Sequence, residues 1–591
     1  MNNKTFRDRE ILHAAHERGA FSTLFAFFRL SGPGWLQSAI TLGGGSLGGA
    51  LYLGMLGGTS MLWLQLIAIV IGVIMLSAIS HVTLSTGKRP YHAINEYVNP
   101  VLGVGWITAT ILANMIWILP QFGLAYDAID KNLTPDGVTA YIAPTGEDAT
   151  AEEVAEADQR SKMAVSGGLA LLAFVIVVMS FNPGWMSKIF DLLLKLIVGM
   201  IVVCFVGVVY KLFESGSIDW NLIAQGFIPN INHWNAPAPS IEELMKRLPQ
   251  TTAEFWGDRI VSNQRNSMIG VTATAVGLNM TFLLPYSMLA RGWDKPFRGL
   301  AKFDLVTGMA IPYIVVTSCI VIASAHAFHA TADENFLSND PAVMQTSPFY
   351  GSTTGQFTDR YGYEKGEDAL AALNDMEADE KAETLAKFAA ALKPEEKRLA
   401  LTLVKPNAKQ LAVSLQPLLG ERNANLVFGI GAVAMGFSSI IILMLINGYA
   451  FAEMFGNSQS NPARVLGALA AVIMGFFWFE IWQGESKTWL IIVASTFGAI
   501  LLPIAYVSFF ALMNNRRLLG PEKPAGFRML VWNLLMGIGV IGAFIQAYGG
   551  LATRVEDPNT GTFVIGGVAT FVLLAVIGFS ARRQDNADDY V

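Results

Sequence analysis

The sequence predicts an all-α, multi-pass membrane protein of about twelve transmembrane helices, ten of them arranged as an inverted repeat of five plus five spans. Three observations carry this expectation. Of the 591 residues, 53% are hydrophobic and only 15% charged, whereas soluble domains carry roughly 25% charged residues. Apolar runs long enough to cross a bilayer, roughly 20 residues each, begin near Pro33, Thr59, Val101, Met163, Ile189, Ile269, Leu305, Leu426, Val465, Leu490, Leu530 and Phe563. The first and sixth runs are each interrupted midway, one by the glycine-rich residues 43–49 (GGGSLGG), the other by Gly277, Asn279 and later Pro285.

Each segment follows from its composition. Residues 1–30 form a charged leader with no short apolar core and no small-residue cleavage site, so they do not read as a signal peptide. A basic, partly amphipathic leader on the cytoplasmic membrane surface is expected instead. Residues 31–326 are the first membrane segment, with outer loops at about 128–162 and 213–265; 327–424 are an extracytoplasmic helical insertion; 425–581 return to the membrane and 582–591 form a cytoplasmic tail. Within the insertion, Ala, Leu, Glu and Lys recur at helical spacing, Pro394 fits a helix start and Pro406 a helix stop. Arg7, Arg9, Lys88, Arg89, Arg291, Lys295, Arg516 and Arg517 fall on one side when spans alternate, which places that side and both termini in the cytoplasm. The first outer loop is acidic, with nine Asp/Glu against three Lys/Arg between Asp127 and Val165.

A helix facing lipid must satisfy its own backbone groups, so a stretch as easily unwound as residues 43–49 belongs beside a protein cavity. Interrupted segments at matching positions of two five-span halves are the pattern of an inverted-repeat transporter, with its substrate between the breaks. The spacing of Gly44 and Gly48, and of Gly45 and Gly49, also suits close helix packing. Cys204 and Cys319 lie inside apolar runs and read as small core residues. The tryptophans near span ends read as interfacial anchors. His326 and His329 mark the outer end of span seven and read as interfacial residues. With no Walker pattern, nucleophile elbow or zinc spacing, neither ATP-driven transport nor enzymatic activity is expected, and no cofactor or nucleic-acid partner.

Four stretches resemble one known family. GPGWLQSAITLGGGS (32–46) resembles the first span of the NRAMP divalent-metal transporters, and ATAVGLN (273–279) the sixth. Residues 429–456, with the paired Ser438 and Ser439 and the terminal Glu453, resemble the eighth, and residues 499–528 resemble the tenth span and its basic turn. The resemblance implies a leucine-transporter-type fold working by alternating access. Carried over residue by residue, it is largely a record of losses. The family's metal-binding Asp falls on Gly43 and its Asn on Ser46; its Met falls on Val276, the following Pro-His on Gly277 and Leu278, and the Asn is kept as Asn279. The two proton-pathway carboxylates of span three fall on Asn114 and Gln121, and the eighth-span Gln before the serines is Phe437.

The expected substrate site is therefore Gly43, Gly44, Gly45 and Ser46 facing Thr274, Val276, Gly277, Leu278 and Asn279, with Asn114, Gln121, Phe437, Ser438 and Ser439 along the pathway. Transition-metal selectivity normally needs a thioether or imidazole beside a carboxylate, and proton coupling needs intramembrane Asp, Glu or His. The resemblance implies a divalent metal cation, partly hydrated, moved without the usual proton coupling. The residues alone leave open a small anion or amino-acid-like solute, held by backbone N–H groups at the glycine-rich break. A reading of another class is a non-transporting receptor or assembly protein that uses the outer insertion. The partners expected in either case are the lipid bilayer and a small ion or solute.

Overall fold

The computed structural model describes residues 3–588, apart from 145, 147–148, 182–184, 405–409, 411–415, 417–419, 459, 483–486 and 556–560. The described residues are helical throughout, with no strand, and twelve helical columns stand at the predicted spans. Span one is Pro33–Thr41 followed by Gly44–Gly57, span two Leu62–Thr86, span three Pro100–Ala128, span four Ala151–Phe181 and span five Trp185–Glu214. Span six is Gln250–Ala275 followed by Leu278–Ala290, and span seven runs from Arg298–Leu305 through a π-helical turn at Val306–Ala310 into Ile311–Phe328. Spans eight to twelve are Glu421–Met454, Asn461–Phe476, Lys487–Asn514, Phe527–Val555 and Gly561–Asp588. The last helix thus continues into the expected tail.

Burial separates the bundle's centre from its lipid-facing rim. Leu47 and Leu53 of span one, Leu278 and Phe282 of span six, and Ile440 to Ile442 of span eight have no exposed surface. Spans eleven and twelve present Leu530, Ile541, Phe544, Val572 and Leu573 outward, as helices bathed in hydrocarbon do.

Spans one and six are broken where the sequence placed their interruptions. Leu42 (φ −88°, ψ 44°) and Gly43 (ψ −175°) leave the helical region between the halves of span one, and Val276 (φ −143°, ψ 96°) and Gly277 (ψ 169°) do so in span six. Neither glycine has a positive φ. Both are needed for close approach: a Cβ on Gly43 would strike Ser439, and one on Gly277 would strike the Trp117 ring. The packing reading of the next glycines also holds, since Gly45 and Gly49 lie against Thr274 and Val271 of span six and Gly48 against Ile491 of span ten.

Outside the membrane, Trp220–Gly226, Ile231–Trp234 and Pro239–Met245 precede span six. The insertion folds as Glu334–Leu337, Pro341–Gln345, Tyr350–Lys365, Glu367–Asp375, Ala378–Ala391 and Pro394–Thr402. Pro394 occupies the first turn of its helix, where its missing N–H costs nothing; Pro406 lies outside the described residues. Span six begins at Gln250 rather than near Ile269 because its first turns stand outside the apolar layer, gripped by the insertion. Arg259 pairs with Asp359 at 3.3 Å, and Trp256 Nε1 donates to Glu396 Oε2 at 3.2 Å. Arg360 Nε donates to the same carboxylate oxygen at 2.8 Å.

Not every tryptophan is an interfacial anchor. Trp106, Trp256 and Trp478 are fully buried, and each indole N–H finds an internal acceptor: Thr281, Glu396 and Ser166 respectively. Cys204 and Cys319 are free thiols.

The insertion is pinned by a buried lysine. Lys397 has no exposed surface, and its ammonium donates to the carbonyls of Ser338 at 2.7 Å, Ala390 at 2.9 Å and Leu337 at 3.3 Å. Burial pushes its pKa below the ordinary lysine range. Lys397→Met keeps the bulk but leaves these carbonyls without their donor, a loss of about 2 kcal/mol or more. We expect a lower melting temperature for the purified variant; an unchanged melt would show that the ammonium does not hold the insertion together.

Candidate functional site

The two breaks line one cavity of about 30 Å³, room enough for water. Its wall is built from Ile40, Gly45 and Ser46 of span one, Thr274, Gly277, Asn279 and Met280 of span six, and Trp117, Pro120 and Gln121 of span three. Ser439 and Leu443 of span eight and Ile491 and Ser495 of span ten complete it.

Much of the polar lining is committed to the broken backbone. Gly44 N–H donates to Gln121 Oε1 at 3.0 Å, and Ser46 Oγ donates to the Gly43 carbonyl at 2.9 Å. Thr274 Oγ1 donates to the Val271 carbonyl at 3.0 Å and Ser495 Oγ to that of Ile491 at 2.7 Å. Asn279 differs from these. It is fully buried, and neither its amide oxygen nor its nitrogen has a protein partner. Such a group is costly unless something else bonds to it. Met280 adds a thioether, its sulfur 3.5 Å from Thr41 Oγ1. All these donors are neutral, and the described residues contain no cluster of three His, Cys, Asp or Glu side chains.

The expected site residues divide in two. Gly45, Ser46, Thr274, Gly277, Asn279, Gln121 and Ser439 line the cavity. Gly43 and Gly44 form the backbone beside it, against Ser439 and Gln121. Val276 instead packs against Gly72, Leu278 is buried in the surrounding core, and half-buried Phe437 lies outside the lining. Ser438 Oγ donates to the Ala39 carbonyl at 2.8 Å, supporting the end of the inner half-helix. Asn114 stands two turns from Gln121 and donates to Asn447 Oδ1 at 3.0 Å. Met280, Trp117 and Ser495 are lining residues that the sequence did not reveal. The first turn of a half-helix must face the break it follows, and that rule alone pointed to Met280.

The anion nest expected at residues 43–46 is altered by span three. The Gly44 N–H, its leading donor, is already taken by a side-chain carbonyl oxygen.

Packed side chains flank the cavity on both sides. Toward the face bearing the basic loops, Phe282 stacks on Tyr286 at 4.3 Å, with Trp106 5.2 Å from Phe282. Beyond them, buried Glu453 pairs with Arg89 at 2.9 Å and His92 at 3.4 Å. Asp304 accepts from Gly34 N–H at 2.6 Å and Gly32 N–H at 3.1 Å, holding the start of span one. A Cβ on Gly34 would strike the Asp304 backbone carbonyl, which accounts for the second glycine of the Gly-Pro-Gly sequence. On the opposite face, His329 Nδ1 donates to the Met55 carbonyl at 2.8 Å, and Nε2 of the neutral ring accepts from Ser240. This histidine therefore joins the end of span one to the outer helices.

Facing helix breaks around an enclosed cavity, inside an inverted-repeat bundle, define a leucine-transporter-type membrane protein. Residues 383–547 match the family model for natural resistance-associated macrophage protein-like (Nramp) sequences. A stretch of 131 residues, 22% of the chain, is 30% identical to the divalent metal cation transporter MntH of Nostoc sp. and spans only 29% of that relative's length. The fold follows a manganese transporter of Eremococcus coleocola, solved with an aromatic bis-isothiourea substituted compound, over 95% of this chain and 96% of that one. The TM-score is 0.59 at 14% identity. A mutant of the same transporter gives 0.58 at 13% over the same shares. At these identities the likeness speaks for the fold alone. The sequence likeness to the Nramp family is thus confined to part of the chain, while the likeness of fold extends over nearly all of it.

Two outcomes test this geometry. Gln121→Glu puts a carboxylate where the amide oxygen meets the Gly44 N–H, and one added ligand charge should strengthen divalent-cation binding about tenfold or more. Titration calorimetry should show that gain fading at acidic pH; equal affinities would remove Gln121 from the site. Burial lowers the pKa of His329 below its ordinary value. The fold thus favours the neutral ring, so its stabilisation is complete above about pH 6.5 and is lost as pH falls toward the folded-state pKa. Thermal melts from pH 7.5 to 5 should show an acid-dependent loss that is smaller in His329→Asn.

Proposed function

We propose that this protein is a secondary transporter that moves a divalent metal cation by alternating access, with the cation partly hydrated and without the usual proton-coupled mechanism. One observation carries the reading: a water-sized cavity between two broken helices, lined by neutral oxygen donors and containing an unpartnered Asn279 amide. The prior claim of Gln121 on the Gly44 N–H weakens the case for an anion. Ends of half-helices that present carbonyls are cation sites in secondary transporters, and the inner half of span one ends at the cavity with Ile40 and Thr41. The cargo named for the Nostoc relative, a divalent metal cation, agrees with this chemistry.

Neutral donors leave some of the ion's water in place, because full dehydration would go unrepaid without a carboxylate. The same neutrality removes the groups that would carry a proton with the ion. Membrane placement follows the positive-inside pattern, with both termini in the cytoplasm.

Proteoliposome uptake measured over a panel of divalent cations tests the reading. The expected result is saturable flux of at least one cation, unchanged by an imposed pH gradient and accompanied by no lumenal acidification. Asn279→Ala should reduce that flux at least tenfold while leaving the melting temperature within a few degrees. Flux tied to proton movement would overturn the uncoupled mechanism, and absence of flux for every cation, anion and amino acid tried would favour the receptor role.

A further inference from the structure

The leader folds as two helices, Asn3–Arg18 and Ala20–Leu30, turned about Gly19, whose φ of +105° lies in the left-handed region. The first helix is fixed to the loop after span six: Arg9 pairs with Asp294 at 2.5 Å and Thr5 Oγ1 approaches the Arg291 carbonyl at 3.4 Å. The second packs its underside against span seven, with Ala26 buried and Phe27 and Phe28 at 5.3 and 4.9 Å from the Phe303 ring. Its other face is bare. Phe21 is 90% exposed, Phe25 79%, Phe28 57% and Leu24 43%, at the i, i+3, i+4, i+7 spacing of one helical stripe.

A row of phenylalanines this exposed marks an interaction surface, and its surroundings say what covers it. Only Ser31 and Gly32 separate Leu30 from Pro33, where span one begins, so the helix lies at the end of a membrane span. Phe303, its partner, is inside span seven. The adjacent Lys302 lies over the Trp532 ring at 5.4 Å, a pairing of snorkelling cation and belt aromatic that belongs at headgroup depth. Arg29, one turn beyond Phe25, is exposed at the same end.

We propose that Ala20–Leu30 is an in-plane membrane anchor: Phe21, Leu24, Phe25 and Phe28 dock in the boundary between headgroups and acyl chains, with Arg29 reaching anionic headgroups. The anchor holds the entry of span one's inner half at a fixed depth. Amphipathic helices of this kind bury their apolar face about 5–10 Å into that boundary.

Spin labels test the proposal in the full chain. Phe21→Cys and Phe25→Cys are placed in a Cys204→Ala, Cys319→Ala background, with Glu17→Cys as a water-exposed control, and reconstituted in phosphatidylcholine–phosphatidylglycerol vesicles. Collision with lipid-soluble oxygen should exceed collision with a polar nickel chelate several-fold at 21 and 25, with the reverse at 17. Preference for the chelate would place the stripe in water. Shielding from both would mean a second copy or another protein covers it. Either result overturns the anchor. Should the cysteine-free background fail to fold, carbene photolabelling of the unmodified protein from within the bilayer provides the second measurement. Adducts on Phe21 and Phe25 are expected, and their absence overturns the proposal equally.

Discussion

Breaking a helix in the middle of a membrane frees backbone groups that have no water to bond, and each one left alone costs several kcal/mol. The bundle is organised around meeting that requirement twice, at Leu42–Gly43 and at Val276–Gly277. Span three sends Gln121 to the first free N–H, Ser46 turns back to the Gly43 carbonyl, and span eight sends Ser438 to Ala39. These contacts demand that spans three and eight lie close to span one, and glycine at 43, 44 and 436 removes the side chains that would prevent it. The cavity is what remains between groups that are there first to support the backbone.

That order of causes shows how the two breaks stand without a charged side chain to hold them. A carboxylate at position 43 would need space that the Ser439 side chain occupies, so the glycine there and the close approach of span eight go together. Gln121 keeps a carbonyl oxygen aimed at the N-terminus of the outer half-helix, and that contact supports the break without a charge. Asn279 is the polar group left over after the backbone is satisfied. Its amide offers an oxygen to a cation or a nitrogen to a water in the cation's shell, and the cavity has room for little more.

The breaks were legible in the sequence because each glycine weakens a helix interior by roughly 0.5–1 kcal/mol relative to alanine, so a cluster of them inside an apolar run marks where the helix opens. The span positions were legible because bilayer thickness sets run length. The errors have physical reasons. Hydropathy put the start of span six near Ile269, yet its helix continues outward to Gln250: polarity marks the edge of the membrane, and not the end of hydrogen bonding. Trp106, Trp256 and Trp478 resemble belt residues by position, but their acceptors lie 175, 140 and 312 residues away. The anion nest read from residues 43–46 has its Gly44 N–H already taken by Gln121, which reaches it from 77 residues along the chain. Local pattern reveals which backbone groups are freed, and only tertiary contact reveals which are already taken.

The two broken helices are held very differently on their outer and inner sides. The outer half of span six is one uninterrupted helix from Gln250 to Ala275, and its far end is clamped by Arg259–Asp359 and by Trp256 and Arg360 converging on the buried Glu396 carboxylate. Thr274, at its other end, lines the cavity. A helix transmits displacement along its axis with little loss, so the insertion and the outer wall of the cavity move as one body. The inner half of span one is only nine residues long, and beyond its packing it is held by two N–H bonds to Asp304 and one hydroxyl from Ser438. These three polar contacts are no fewer than the three named at the outer clamp, so the two halves differ in length and in the elements that hold them.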